Sequence, residues 1–165
     1  MSFQNQFTKT TTDANLMETV HHGSAEYPFR YYYENIALFD FKCIDWHWHS
    51  ELEFIYIESG NVVFDIGTVH FELNEGNGIM INSKILHRLQ SSNDAIIPNF
   101  LFQPSFIAPQ DSLIYKKYIN PVISSSLEYL VFQPDIPWQK KALEIIKTII
   151  AVQETEFNRE IIVDK

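Results

Sequence analysis

The length and composition of the chain limit the classes of protein to which it can belong. Its 165 residues suffice for one domain with a hydrophobic core and are too few for two ordinary domains. With 45% hydrophobic and 15% aromatic residues, the chain is too apolar for intrinsic disorder. The net charge of −9 repels phosphate backbones and anionic lipids. We therefore do not expect the chain by itself to bind DNA or a membrane surface.

Cysteine content and the apolar runs indicate the compartment. Cys43 is the single cysteine, so an intramolecular disulfide cannot form. The first residues lack the basic-then-apolar pattern of a signal peptide, and the apolar runs are too short to span a bilayer. These features predict a cytoplasmic protein.

The first 26 residues, called the lead-in below, are rich in Thr, Asn, Gln and Ser and have no sustained hydrophobic period. We expect the lead-in to be loosely held and assign it no function. Its two histidines, His21 and His22, are expected to be solvated.

Residues 27–108 have the pattern of a small antiparallel barrel or sandwich. Short aromatic and β-branched runs alternate with tight turns such as Ser59-Gly60-Asn61. Pro98 places the last run at a sheet edge or a bulge. The predicted strand runs are residues 51–58, 62–66, 68–73, 78–81 and 95–102.

Residues 109–165 have a helical hydrophobic period and are expected to form two to three helices. The first has Asp111 as its N-cap and stops at Pro121. The second begins near Pro137 and has an apolar face broad enough for a dimer interface as well as packing on the barrel. The residues expected at this interface are Trp138, Ala142, Ile145, Ile146 and Ile149.

The last stretch, from Glu154 to Lys165, also has helical propensity. Its apolar patch at residues 161–163 has nothing after it to cover it. We interpret this as a chain cut inside a helical region, before a further domain.

Two histidines and a glutamate lie close together in the most informative stretch, residues 45–53. Alternate residues of a strand share a face, so His47 and His49 point the same way and Glu53 keeps the same parity. If the strands close into a barrel, His87 can add a third imidazole. This set suits a divalent transition metal, Zn, Ni, Fe or Mn, without identifying which. The alternative is a polar pocket whose residues bind one another or an organic effector.

The spacing of these residues resembles the cupin motifs. The first motif is matched by His47, His49, Glu53 and Gly60, and the second by Gly76 with His87 eleven residues later. By this resemblance, His47, His49, Glu53 and His87 occupy the metal-ligand positions of metal-binding cupins. The sequence departs from the motifs in having Phe41 and Ser91 in place of glycine and asparagine and Asn82-Ser83-Lys84 in place of Pro-x-Gly.

The wider sequence, from Tyr27 to the C-terminus, is similar to the N-terminal domains of AraC-type transcription regulators. The similarity includes residues 46–57, residues 75–82 and the Pro137-Trp138 helix. It implies a mainly β fold, a small jelly-roll-like cupin barrel followed by two to three helices, with no catalytic residues. A sugar or similar metabolite would bind in the barrel of a homodimer and control a helix-turn-helix DNA-binding domain absent from this chain.

Two other functions fit the same residues. The first is a small metal-dependent cupin enzyme, a dioxygenase or isomerase, with a His3Glu metal site. The second is a stand-alone cupin dimer that binds a ligand and regulates another protein. Four aromatic residues could stack on a sugar, but a role in packing is the preferred interpretation of Trp46, Trp48, Phe54 and Tyr56.

Overall fold

Two antiparallel sheets form the body of the protein in a computed structural model, which describes residues 6–155. The strands of one sheet follow the order β1-β8-β3-β6-β9, and those of the other follow β2-β7-β4-β5. The predicted mainly β fold with C-terminal helices is confirmed. The strands are β1 (Phe29–Asn35), β2 (Cys43–His47), β3 (Leu52–Tyr56), β4 (Asn61–Ile66), β5 (Val69–Asn74), β6 (Gly78–Ile81), β7 (His87–Gln90), β8 (Ile96–Phe102) and β9 (Tyr129–Phe132).

The hydrophobic core lies between the sheets because side chains on a strand alternate between its faces. In β3, Ile55 belongs to the fully buried core cluster, whereas Phe54 and Tyr56 pack with residues of the C-terminal helix. Phe64 of β4 and Leu89 of β7 complete the core from the opposite sheet. The interior is therefore filled by aliphatic and aromatic side chains except where polar residues replace them.

Pro98 does not lie at a sheet edge, one of the two positions that the sequence analysis allowed; the register shifts by one residue across it, from Ile55–Asn99 to Ser59–Ile96. Strand β8 lies between β1 and β3. Pro98 pairs with Tyr33 of β1, whereas the pairing with β3 extends only from Phe102 to Asn99. A proline is tolerated here because the pairing with β3 ends one residue before it, so one side of the strand requires no N–H donor.

The first predicted helix differs from the prediction at both ends. The Ser112 hydroxyl, and not Asp111, accepts a hydrogen bond from the Tyr115 N–H, at 3.1 Å. A π-helical turn, Tyr115–Ile119, leads into α1 (Asn120–Ile123). Pro121 therefore lies in the first turn of α1, where its missing N–H costs little, and does not end the helix.

The second predicted helix, α2 (Pro137–Gln153), begins at the expected proline. It packs on the outer face of the five-stranded sheet through Leu143, Ile146 and Ile150, which lie in one buried cluster with phenylalanines of that sheet. None of the helices in the described part of the chain has the length and apolarity required to cross a membrane. The predicted helical stretch and apolar patch after Glu154 lie, from residue 156 onward, outside the described residues.

The described part of the lead-in is attached to the barrel, whereas the sequence analysis expected a loosely held segment. Backbone hydrogen bonds join it to both sides of Trp48: the Glu18 N–H donates to the Trp48 carbonyl (2.9 Å), and the Trp48 N–H donates to the Leu16 carbonyl (3.0 Å). The Trp48 indole N–H also donates to the Asn15 carbonyl at 2.9 Å. These bonds extend the sheet at the end of β2, an addition that side-chain periodicity does not reveal.

Candidate functional site

The four candidate side chains converge inside the barrel. One ligand atom from each of His47, His49, Glu53 and His87 lies within 4.8 Å of the others, and all four residues are buried. We predicted that these side chains converge because they share one strand face, and the structure shows a different reason for their convergence. His47 ends β2 in one sheet, Glu53 lies on β3 in the other, and His49 lies in the connection between them. The two sheets thus contribute opposite walls of one site.

Each of the three imidazoles is oriented by the backbone. The Nδ1 atoms of His47, His49 and His87 bond to the carbonyls of residues 45, 51 and 85 at 2.7, 3.2 and 2.8 Å. Because a carbonyl oxygen can only accept, each Nδ1 carries the hydrogen. In a neutral ring, the opposite nitrogen, Nε2, is then a bare lone pair.

The Glu53 carboxylate faces two of these Nε2 atoms. Its Oε2 lies 3.1 Å from Nε2 of His49 and 3.1 Å from Nε2 of His87. Each contact is a hydrogen bond only if that imidazole is protonated at both nitrogens, since Nδ1 already donates to a carbonyl. Without a proton or another cation between them, the oxygen and the nitrogen lone pairs would repel one another.

Burial and charge set the protonation of this cluster. Burial alone would raise the pKa of Glu53, but hydrogen bonds from His49 and His87 outweigh it and hold the pKa well below its usual range. Burial opposes protonation of His49, yet its bond to Glu53 raises the pKa. Burial, with the charge of His87, lowers the pKa of His47 to about 3. These contacts therefore favour the ionised form of Glu53 and the charged form of His49, and disfavour the charged form of His47.

The donor set fits a divalent transition metal. Three imidazole nitrogens and one carboxylate oxygen are within reach of one point, and Nδ1–H bonds to the backbone are the usual second contact of a ligating histidine. A metal ion would replace the proton on His49 and satisfy the Nε2 lone pairs together with Glu53. The residues could hold Zn, Ni, Fe or Mn, as predicted from their types.

The lead-in contributes residues to the site that the sequence analysis missed. His22 was expected to be solvated but is only 7% exposed. Its Nε2–H donates to Glu18 at 2.7 Å, its Nδ1 accepts from the Tyr32 hydroxyl at 2.7 Å, and its ring centre lies 5.7 Å from that of His49. The sequence contained no usable signal, because a single histidine in a polar segment has no period.

A buried acid, Glu34, lies on another wall of the same cavity. Its carboxylate accepts a hydrogen bond from the Asn99 side chain at 3.0 Å, and burial raises its pKa to about 8. The cavity between these groups has a volume of about 40 Å³, and its lining includes Glu18, His22, Tyr32, Glu34, His47, His49, Glu53 and Asn99.

The other candidate residues lie outside this cluster. His70 bonds to Asp65 at 2.6 Å on the outer face of the four-stranded sheet. Arg88 also binds Asp65 there and packs over the Trp46 ring. Trp48 holds the lead-in. Phe54 and Tyr56 pack with residues of α2. All four aromatic residues therefore have packing or docking partners, in line with the preferred interpretation.

The five residues expected at a dimer interface separate into three groups. Trp138 and Ile145 are 54% and 62% exposed, whereas Ile146 is buried within its own chain. Ala142 and Ile149 are partly buried beside an open apolar groove of about 320 Å³ between α2 and the sheet. Trp138 and Ile145 can therefore be buried by another chain, whereas Ile146 is already buried within its own chain.

Comparisons with known proteins point to one family. Residues 40–109 match the family model of the AraC-like ligand-binding domain. Over 140 residues, 83% of this chain and 47% of the relative, the sequence is 31% identical to the uncharacterized HTH-type transcriptional regulator YdeC of Bacillus subtilis. The chain therefore spans about half the length of this relative.

A solved structure of another protein has a similar fold over most of this chain. The structure of apo ToxT K231A from Vibrio cholerae superposes with a TM-score of 0.53 at 9% identity, over 87% of this chain and 53% of that one. An RmlC-like cupin from Shewanella frigidimarina gives a TM-score of 0.42 at 14% identity, over 46% of this chain and 67% of that one. Residues 40–109 thus form an AraC-like ligand-binding domain, and the chain resembles the part of an AraC-type transcription regulator that carries this domain.

Proposed function

We propose that this chain senses an effector through the cavity around His47, His49, Glu53 and His87, and passes the signal on through the lead-in. The observation that carries the proposal is the position of His22. It lies on the lead-in, yet its ring packs against that of His49. An occupant that shifts His49 therefore acts directly on the segment covering the cavity.

The energetic requirement is that the effector binds one position of the lead-in better than the other. The docked lead-in closes the cavity with Glu18 and His22, so a ligand that fits beneath them stabilises docking, and one that is too large opposes it. The change would reach DNA through a helix-turn-helix domain that is not part of this chain. This role places the protein in the cytoplasm, as a homodimer that associates through α2.

The test uses the regulator with its DNA-binding region and a reporter gene. His47→Ala and His87→Ala should each reduce the response to the effector at least tenfold, because each substitution removes one of the three imidazoles clustered with Glu53 beside the cavity. DNA binding in the absence of effector should remain within about twofold of wild type. His70→Ala is the matched control, because His70 lies outside the cavity. A full response from both cavity variants would contradict the proposal.

A metal-dependent cupin enzyme is the second candidate, and the His3Glu donor set favours it. The size of the cavity opposes it. About 40 Å³ leaves no space for an organic substrate beside a metal ion while the lead-in is docked. Turnover of a substrate by the metal-loaded chain would favour the enzyme over the sensor.

A further inference from the structure

We propose that the effector is a divalent transition metal ion itself, and that Glu18 and His22 of the lead-in close the site over it. This inference rests on the proposed sensing role of the same cavity and names its ligand class. Four features of the structure support it: the volume of the cavity, the charges on its walls, the direction of the imidazole nitrogens and the attachment of the lead-in.

The first feature is volume. A cavity of about 40 Å³ accommodates about three water-sized groups. Pockets for organic ligands usually measure about 300–1,000 Å³. A sugar, the class that the family resemblance implies, would have to displace the lead-in, whereas an ion with one or two waters fits beneath it.

The second feature is charge. Two carboxylates line the cavity, those of Glu18 and Glu53, whose pKa values lie below the ordinary value, and Lys9 is the single lysine or arginine among the described lining residues. Such walls repel carboxylate and phosphate ligands and attract cations.

The third feature is the direction of the imidazoles. Since all three Nδ1 atoms bond to carbonyls, Nε2 is the ring nitrogen left for an occupant, and the Nε2 atoms of His49 and His87 lie 3.1 Å from Glu53 Oε2. An organic effector would need several hydrogen-bond donors in this small volume to satisfy them. One metal ion satisfies them all and also neutralises the carboxylate.

The fourth feature is the attachment of the lead-in. His47 and His49 flank Trp48, and both backbone groups of Trp48 bond to the lead-in, at Leu16 and Glu18. Fixing these two histidines on an ion therefore fixes the strand segment on which the lead-in docks. The Glu18–His22 pair adds a second connection, since His22 packs on His49.

The experiment starts from the 165-residue chain stripped with EDTA and desalted, and titrates it separately with Zn²⁺, Ni²⁺ and Mn²⁺ chlorides. Calorimetry gives stoichiometry and Kd, and hydrogen exchange of the backbone amides of residues 12–24 reports lead-in docking. We expect one ion per chain for at least one metal, with exchange in the lead-in slowed at least tenfold. His47→Ala should abolish both effects.

The variants His22→Ala and Glu18→Gln separate a closing role from a purely structural one. Each should keep one ion per chain, weaken affinity by about 10–100-fold and lose the metal-dependent protection of the lead-in. His21→Ala is the matched control, because His21 is the exposed neighbour of His22 and does not line the cavity. Far-UV circular dichroism verifies that each variant is folded.

Two results would overturn the inference: no metal binds in a His47-dependent manner, or metal binds but the lead-in exchanges equally fast with and without it. The proposed function can survive either result. If a sugar raises the Tm and His47→Ala removes that shift, the cavity is a sensor of an organic effector. If the reporter response is also unaffected by His47→Ala and His87→Ala, the sensing role itself is wrong.

Discussion

Glu34 is a buried acid whose carboxyl group is largely protonated near neutral pH. Its neighbours across the cavity include Glu18 and Glu53, whose charges raise its pKa further above the value set by burial. A protonated carboxyl can donate as well as accept, so Glu34 and Asn99 together form a neutral hydrogen-bonding wall beside the charged cluster.

This residue makes the stability of the fold depend on pH. The unfolded chain ionises Glu34 near its ordinary pKa of 4.5, whereas the folded chain does so at about 8. The contribution of Glu34 to the free energy of unfolding is therefore fully present below about pH 4.5 and is lost as pH rises through about 8. Glu34→Gln keeps an acceptor for Asn99 but cannot ionise. We expect it to be more stable than wild type at pH 8, by about 2–4 kcal/mol, and nearly equal at pH 4.5.

Urea unfolding in EDTA across this pH range measures the difference, and Glu75→Gln, at an exposed turn, is the control. Parallel stability curves for Glu34→Gln and wild type would show that Glu34 does not titrate as described.

The residues of the site differ in how far the sequence could predict them. The four residues His47, His49, Glu53 and His87 do lie together, as their motif-like spacing predicted, although the predicted reason, one shared strand face, was wrong. A turn at residues 48–51 carries the chain from one sheet to the other, and residue alternation cannot distinguish this from one continuous strand. His22 and Glu34 gain their environments only from tertiary packing, so local pattern could not identify them.

At the scale of elements, the contact between α2 and the five-stranded sheet depends on Gly78 of β6. A Cβ at this position would lie 2.8 Å from Cδ2 of Leu143 and 3.2 Å from the carbonyl of Ile55. The end of the Leu143 side chain can move, but the Ile55 carbonyl cannot move without disturbing β3. The missing side chain at position 78 is what allows α2 to approach the sheet.

Gly78→Ala should therefore destabilise the protein by about 1–3 kcal/mol, the usual cost of overpacking. Part of that cost should disappear in a Leu143→Ala background, where the clashing methyl group is absent. Chemical denaturation of the four members of this double-mutant cycle measures the coupling. Strictly additive losses would show that Gly78 and Leu143 do not limit each other's packing.

Element prediction succeeded where the sequence carries a period or a terminus signal. Helix α2 was predicted because Pro137 and a long helical period coincide. Strand β9, four residues between two helices, was missed because it is too short to show alternation and joins the sheet by pairing with β6. Pro121 was wrongly predicted to end the first helix. The π-helical turn before it places Pro121 in the first turn of α1, where its missing N–H is not required.

At the scale of the whole molecule, the exposed apolar side chains of α2 favour association. Trp138 and Ile145 are more than half exposed, and Ile145 borders the groove between α2 and the sheet. A second copy could bury this face in a symmetric contact. We expect Ile145→Glu to shift a dimer toward monomer in sedimentation at micromolar concentrations.

Lys141→Glu is the control, since Lys141 is an exposed charged residue of the same helix. A dimer that tolerates Ile145→Glu as well as Lys141→Glu would place the interface elsewhere. If wild type is itself monomeric over the same concentrations, the proposed homodimer is wrong for this chain.

The strand order also has a consequence for protein synthesis. Strand β1 is an edge strand that pairs with β8. Phe29 can therefore form its strand pairing only after Phe102 has been synthesised. The ribosome releases the N-terminus first, at about 5–20 residues per second, so the lead-in emerges well before the strand segments on which it docks. Tyr32, which holds His22, lies on that late-pairing strand. We therefore expect the covering of the cavity to form late in folding, after β8 has paired with β1.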